Sequence, residues 1–177
     1  MIHIRYMEKY DTLFRRLLAL AIDILVLSPI VIVLVLVKND SLSPLYIALL
    51  LLVSLIYHLY PIYFLGRFGQ TLGKMALKLK VVNTQENSIS YFAAFLREVP
   101  ILLTTILSLV VDIHYILNYG IDEGFQQGVS DNIIVGLIFV WFIADAIVAF
   151  SNQKRRALHD FIAGTVVICE DNKSLIN

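Results

Sequence analysis

Charge is scarce in this chain. Only 16% of its 177 residues are Asp, Glu, Lys or Arg, against about 25% in soluble domains. Spread over a globule of this length, so few charges leave most of the surface apolar, which is not the composition of a water-soluble monomer. Neither sign is in excess: 14 basic and 14 acidic residues give a net charge of zero and a pI near 6.9. Without a basic excess or stripe, nucleic acid is excluded as a partner. The single cysteine, Cys169, excludes an internal disulfide, and no Cys/His spacing matches a zinc site. Gly-x-Ser-x-Gly, His-Glu-x-x-His and P-loop patterns are all missing, so no enzyme activity and no cofactor is expected.

What the chain has in abundance is apolar length. Hydrophobic residues reach 59%, with a mean hydropathy of +0.79. A membrane-crossing helix needs about 20 mostly apolar residues. Four runs qualify, at 13–37, 45–65, 99–117 and 133–150. Buried core helices would need more charge to cover them, and a β-barrel would need alternating segments of about ten residues, which these are not. The first run is no signal peptide: it is too long, holds Asp23 and lacks a small-residue cleavage site.

Orientation follows from the basic residues. Arg5, Lys9, Arg15 and Arg16 precede or open the first run. Arg67, Lys74, Lys78, Lys80 and Arg97 lie between the second and third, and Lys154, Arg155, Arg156 and Lys173 follow the fourth. Thirteen of the fourteen thus belong to three segments, and only Lys38 lies elsewhere, in company with Asp40, Asp122, Glu123 and Asp131. The positive-inside rule predicts that 1–12, 66–98 and 151–177 are cytoplasmic. The expected fold is an all-α integral membrane protein of one domain, 1–177: a four-helix transmembrane bundle with both termini cytoplasmic. A small cytoplasmic strand pair and an amphipathic helix complete it. Leu77 to Val82 and Thr165 to Cys169 read as the two strands, paired because a lone edge strand is a liability. Ser90 is an N-cap for the amphipathic helix carrying Tyr91, Phe92, Phe95 and Leu96, and Ser151 to Gly164 has room for a short helix with His159 and Asp160.

Ionisable groups inside a span cost about 2.5–3.5 kcal/mol each and so require a reason. At 1.5 Å of rise per residue, Asp23, Asp145 and His58 fall about 9, 8 and 10 Å from the inner side. Arg16 stands two helical turns before Asp23 on the same face. Shared depth makes Asp23, Asp145 and His58 candidates for a cation- or proton-binding site, since carboxylates are hard ligands and buried ones exchange protons near neutrality. The plainer reading is that they pair with Arg16, with backbone groups or with one another and lock the helices together.

Three blocks resemble the RDD family of bacterial membrane proteins. The first runs from Leu13-Phe14-Arg15-Arg16 to Asp23. The second comprises Gly69-Gln70-Thr71-Leu72-Gly73-Lys74, Leu79-Lys80-Val81-Val82 and Leu96-Arg97-Glu98. The third is Arg156-Ala157-Leu158-His159-Asp160 through Val167. The resemblance implies a multi-pass protein of the bacterial plasma (inner) membrane and sets the name-giving triad on Arg16, Asp23 and Asp160. Lys78 departs from it, since the family often has glycine between helix and strand there, and His58 has no counterpart in it. Monovalent cation/proton exchange has been proposed within the family.

Two functions follow as expectations. One is an exchanger of Na+ or K+ for H+ through Asp23, Asp145 and His58, which with four spans needs a homo-oligomer for alternating access. The other is a non-catalytic membrane scaffold or accessory subunit, with the strand pair and amphipathic helix as the surface offered to a partner protein. Asp160 enters either as a pin holding the tail beneath the bundle or as a gate meeting Arg16. In both cases the lipid bilayer is the first partner.

Overall fold

A computed structural model of the chain describes residues 9–37, 44–119 and 129–170. Lys38, Asp40, Asp122 and Glu123 lie outside them, as do the side chains of Asp112 and Asp131. In chain order the elements are α1 (Leu13–Val37), α2 (Pro44–Phe68), α3 (Leu72–Ala76), β1 (Leu79–Asn83), α4 (Tyr91–Tyr119), α5 (Val129–Ser151), α6 (Leu158–Ile162) and β2 (Thr165–Cys169).

Among the described residues three helices are long and apolar enough to cross a bilayer, over Leu13–Leu36, Leu45–Phe68 and Tyr91–Val111. The helix expected as the fourth span, α5, contributes a shorter apolar segment, Val135–Ser151, among the described residues. The amphipathic helix and the third run, expected as separate pieces, are one helix. Ser90 caps it as anticipated, accepting from the Ala93 amide at 3.1 Å, and Pro100 stands inside α4 without interrupting it. Proline in α1 is likewise accommodated. Pro29 has no N–H to offer the carbonyl of Leu25, and the Ser28 hydroxyl donates to that oxygen instead at 2.9 Å.

The apolar side chains of the long helices face outward: Leu25 is 69% exposed, Val35 67% and Phe139 64%. Such a surface suits lipid, not water. The buried core lies at the other end of the problem, where the helices meet a small cap. β1 and β2 pair antiparallel, Leu79 opposite Cys169 and Asn83 opposite Thr165. One face of this pair sends Leu79, Val81 and Val167 against Ala19, Leu65, Ile89 and Ala94 from α1, α2, the turn and α4. The other face packs Val82 and Val166 on Tyr10. The period-2 pattern of Leu79-Lys80-Val81 therefore divides a two-sided cap.

Two backbone positions shape the entry to β1. Gly69 takes φ +71°, and its carbonyl accepts from the Val81 amide at 2.7 Å. Lys78 takes φ 55°, the left-handed region. Glycine adopts that conformation without strain, so the departure at Lys78 from the resembled pattern falls on a left-handed position.

Candidate functional site

Asp160, on α6, is fully buried. A carboxylate in that position is tolerable only if every lone pair is engaged. One oxygen accepts from Arg16 Nη1 at 2.8 Å and from the Ala157 amide at 3.0 Å. The other accepts from the guanidinium of Arg97 and from the Thr165 hydroxyl, the latter at 3.1 Å. Four donors from α1, α4, the α6 N-terminus and β2 thus converge on one side chain. Burial by itself raises the Asp160 carboxyl, but the guanidiniums of Arg97 and Arg16 outweigh it and hold the group well below the ordinary carboxylate range.

The network continues through His159. Arg97 Nη2 meets His159 Nε2 at 2.9 Å. A guanidinium only donates, so Nε2 carries the lone pair and the ring proton sits on Nδ1. That proton points at Asp145, whose carboxylate is 2.9 Å away and also accepts the His159 amide at 3.1 Å. The line Asp145–His159–Arg97–Asp160–Arg16 crosses from α5 to α1. Arg16 is further held by Thr12, Nε to Oγ at 2.9 Å. Arg156 supports the same turn from outside, donating to the carbonyls of Thr165 at 2.8 Å and Asp160 at 3.1 Å while lying over the Phe161 ring.

Asp23 stands in a different cluster. Its oxygens accept from the Tyr60 hydroxyl at 2.7 Å, the Gly73 amide at 2.7 Å and the Thr71 hydroxyl at 2.6 Å. Thr71 is the N-cap of α3, so a carboxylate from α1 holds the first turn of α3 in place. Gly73 has to be glycine for this contact: a Cβ there would stand 2.0 Å from the carbonyl oxygen of Ala19.

His58 belongs to a third group. It is 8% exposed, and its Nε2 meets the Thr105 hydroxyl at 3.1 Å, while Nδ1 has no hydrogen-bond partner among the described residues. The Thr105 hydroxyl donates to the Ile101 carbonyl at 3.1 Å, so Nε2 is the protonated nitrogen. Thr105 also lines a cavity of about 340 Å³ with Tyr57, Pro100, Ile101, Thr104, Ser108, Ile138, Trp141 and Phe142.

Asp23, Asp145 and His58, alike in depth along their helices, are therefore fastened to different partners and share no hydrogen bond. Of the triad Arg16, Asp23 and Asp160, the first and last meet directly. Sequence reasoning gave Arg97, Thr71 and Glu98 a place in the family blocks and Thr165 one in a strand, but none of them a role in a site, and it did not single out Tyr60. The signal for Arg97 and Glu98 was a pair of adjacent charges at the mouth of a span. For Thr71 it was a hydroxyl residue before a Leu-Gly-Lys turn. No group of His, Cys, Asp or Glu side chains able to hold a metal ion occurs among the described residues.

Lys74 on α3 has an unusual position. It is half-buried, with Arg97, Asp23, Glu98 and Arg16 as charged neighbours, and burial followed by the repulsion of Arg97 pushes its amine down to about 8. The unfolded amine keeps its proton up to 10.5, the folded one only to about 8. Between these values folding releases a proton, so stability rises with pH; below them both states are charged and the full penalty is present. The expected result is a rise in unfolding free energy across that window, absent from Lys74→Met, measured by chemical unfolding in detergent micelles.

A model of the RDD family matches residues 10–164. No curated protein and no solved structure matches the chain.

Proposed function

The chain belongs to the RDD family, and from that premise we propose that it is a non-catalytic scaffold of the bacterial inner membrane, crossing it four times with both termini in the cytoplasm. The observation that carries this reading is the engagement of Asp23, Asp145 and Asp160 by donors from other elements. Asp23 takes three donors, Asp160 four, and Asp145 the ring and amide of His159. Each joins a long helix to the cap or to the tail. Carboxylates used in this way fasten a small domain to a membrane bundle, and all three are committed to donors within the protein.

The topology draws support from the same contacts. The start of α1, the end of α2, the start of α4 and the end of α5 all approach the strand pair and α6, through Arg16, Leu65, Arg97 and Asp145 respectively. That end carries the basic residues, as a cytoplasmic face does. In this reading the cap presents its partner surface through the exposed aromatics at its rim, among them Phe92 and Phe161.

The test separates a scaffold from an exchanger acting through Asp23, Asp145 and His58. Wild-type protein folded in liposomes is expected to move no Na+, K+ or Li+ against a pH gradient. Asp23→Asn is expected to lower the unfolding midpoint, because the α1–α3 contact loses charge-assisted bonds worth about 1.5–3 kcal/mol together. Cation-coupled proton flux by the wild type, abolished in an Asp23→Asn protein of unchanged stability, would overturn the scaffold reading.

A further inference from the structure

The cavity between α2, α4 and α5 has no part in the network above. Its volume of about 340 Å³ is at the small end of ligand-sized pockets. Its walls belong to the apolar segments of the three helices. Three aromatic residues, Tyr57, Trp141 and Phe142, line it, and among the described residues no charged side chain does.

The polar atoms on the walls are few, and their other bonds fix what they can offer. Thr104 and Thr105 both donate to the Ile101 carbonyl, at 2.7 and 3.1 Å. A hydroxyl has one proton, so each oxygen is left with lone pairs only. Thr105 gives one of these to the His58 Nε2–H at 3.1 Å. Thr104 has no other hydrogen-bond partner among the described residues, and both its lone pairs remain. The cavity therefore carries a fixed acceptor on α4. Trp141, opposite it on α5, has an indole N–H that can only donate, and among the described residues nothing accepts it.

We propose that the cavity binds a small uncharged phenol, its ring packed among Tyr57, Trp141 and Phe142 and its hydroxyl donating to the Thr104 oxygen. The chemistry discriminates among ligand classes. An ion would enter apolar segments with no counter-charge on the cavity wall, which is costly. A wholly apolar molecule fills the space but forgoes the Thr104 acceptor. Water pairs with that acceptor but leaves the aromatic walls wet. A phenol answers both features: its ring meets aromatic side chains in offset or edge-to-face contact, and its O–H supplies the donor that Thr104 lacks. The phenol oxygen can in turn accept from an N–H donor such as that of Trp141.

Trp141 is the only tryptophan in the chain, so its fluorescence, excited on the red side of phenol absorption, reads the cavity directly. The full chain in detergent micelles would be titrated with para-ethylphenol and, separately, with para-ethyltoluene, which has the same shape and no hydroxyl. Concentrations are counted in the micelle phase, so that partitioning does not enter the comparison. A saturable change is expected with the phenol, at an affinity roughly tenfold above that of the toluene. Thr104→Val keeps the side-chain shape and removes the acceptor; it should weaken the phenol roughly fivefold or more and leave the toluene unaffected. Ser108→Phe, which fills the cavity, should abolish the saturable response to both. A linear response in the wild type, equal affinity for phenol and toluene, unchanged phenol affinity in folded Thr104→Val, or saturable binding that survives in folded Ser108→Phe overturns the proposal. If Ser108→Phe does not fold, the wild-type comparison and Thr104→Val still decide it. None of these readouts depends on the scaffold reading, which rests on flux and stability.

Discussion

Asp160→Asn is expected to destabilise the folded protein by about 3–5 kcal/mol, the cost of removing one partner from a buried ionic group. The substitution preserves shape and keeps acceptors for Thr165 or the Ala157 amide. It removes the one charge that Arg16 and Arg97 both address, at side-chain exposures of 13% and 5%. Two guanidiniums then share a dry site without the carboxylate that both address, and Asp145 reaches Arg97 only across the His159 ring. The acid response should change with it. Because the folded carboxyl titrates below its ordinary value of 3.8, its contribution is complete above that value and is lost as the pH falls toward the depressed folded one. Asp160→Asn lacks this slope. Unfolding in detergent, followed by circular dichroism at neutral and acid pH, measures both effects. Adding Arg16→Met to Asp160→Asn should recover part of the loss, because it removes one of the stranded charges. A single variant within about 1 kcal/mol of the wild type would show that the network contributes little, as exposed ion pairs do.

The second large effect is expected at Gly73. A Cβ 2.0 Å from the Ala19 carbonyl oxygen and 2.9 Å from the Asp23 carboxyl carbon meets backbone on one side and a fixed side chain on the other. Neither can rotate away, so α1 and α3 must separate by more than 1 Å, and the amide of residue 73 is drawn off Asp23. Overpacking and the weakened charged hydrogen bond together should cost about 3 kcal/mol in Gly73→Ala. Since Asp23→Asn damages the same contact, the double variant should fall short of the sum of the two singles. Additivity would mean that Gly73 and Asp23 act through separate contacts.

Much of the architecture was legible because it depends on local pattern. Run length marked α1, α2 and most of α4. Alternation marked β1, and β-branched composition marked β2. Ser90 announced a helix start. The join between the amphipathic helix and the third run was not legible, because nothing between Leu96 and Val99 favours or forbids continuity, and packing of Ala94 in the cap decides it. Pro100 would suggest a break in isolation, yet a helix held by neighbours accommodates it.

For the site the division is different. Spacing placed Arg16 and Asp23 on one face of α1, and depth placed Asp23, Asp145 and His58 at a common level. Level is a coordinate along a helix; contact also requires the rotation of each helix about its axis and the choice of neighbour. Those two quantities sent Asp23 to Tyr60, Thr71 and Gly73, His58 to Thr105, and Asp145 to His159. They also brought Arg16 to Asp160, 144 residues away.

By itself, then, the sequence determined that this chain carries long apolar helices, that thirteen of its fourteen basic residues fall in three of the segments around the apolar runs, and that its strands form a pair. These follow from burial free energy and backbone hydrogen bonding, which act on neighbouring residues. Only the tertiary structure decided which charge answers which. A buried carboxylate is stabilised by donors within about 3 Å, and no periodicity along a chain states which distant residue will arrive at that distance.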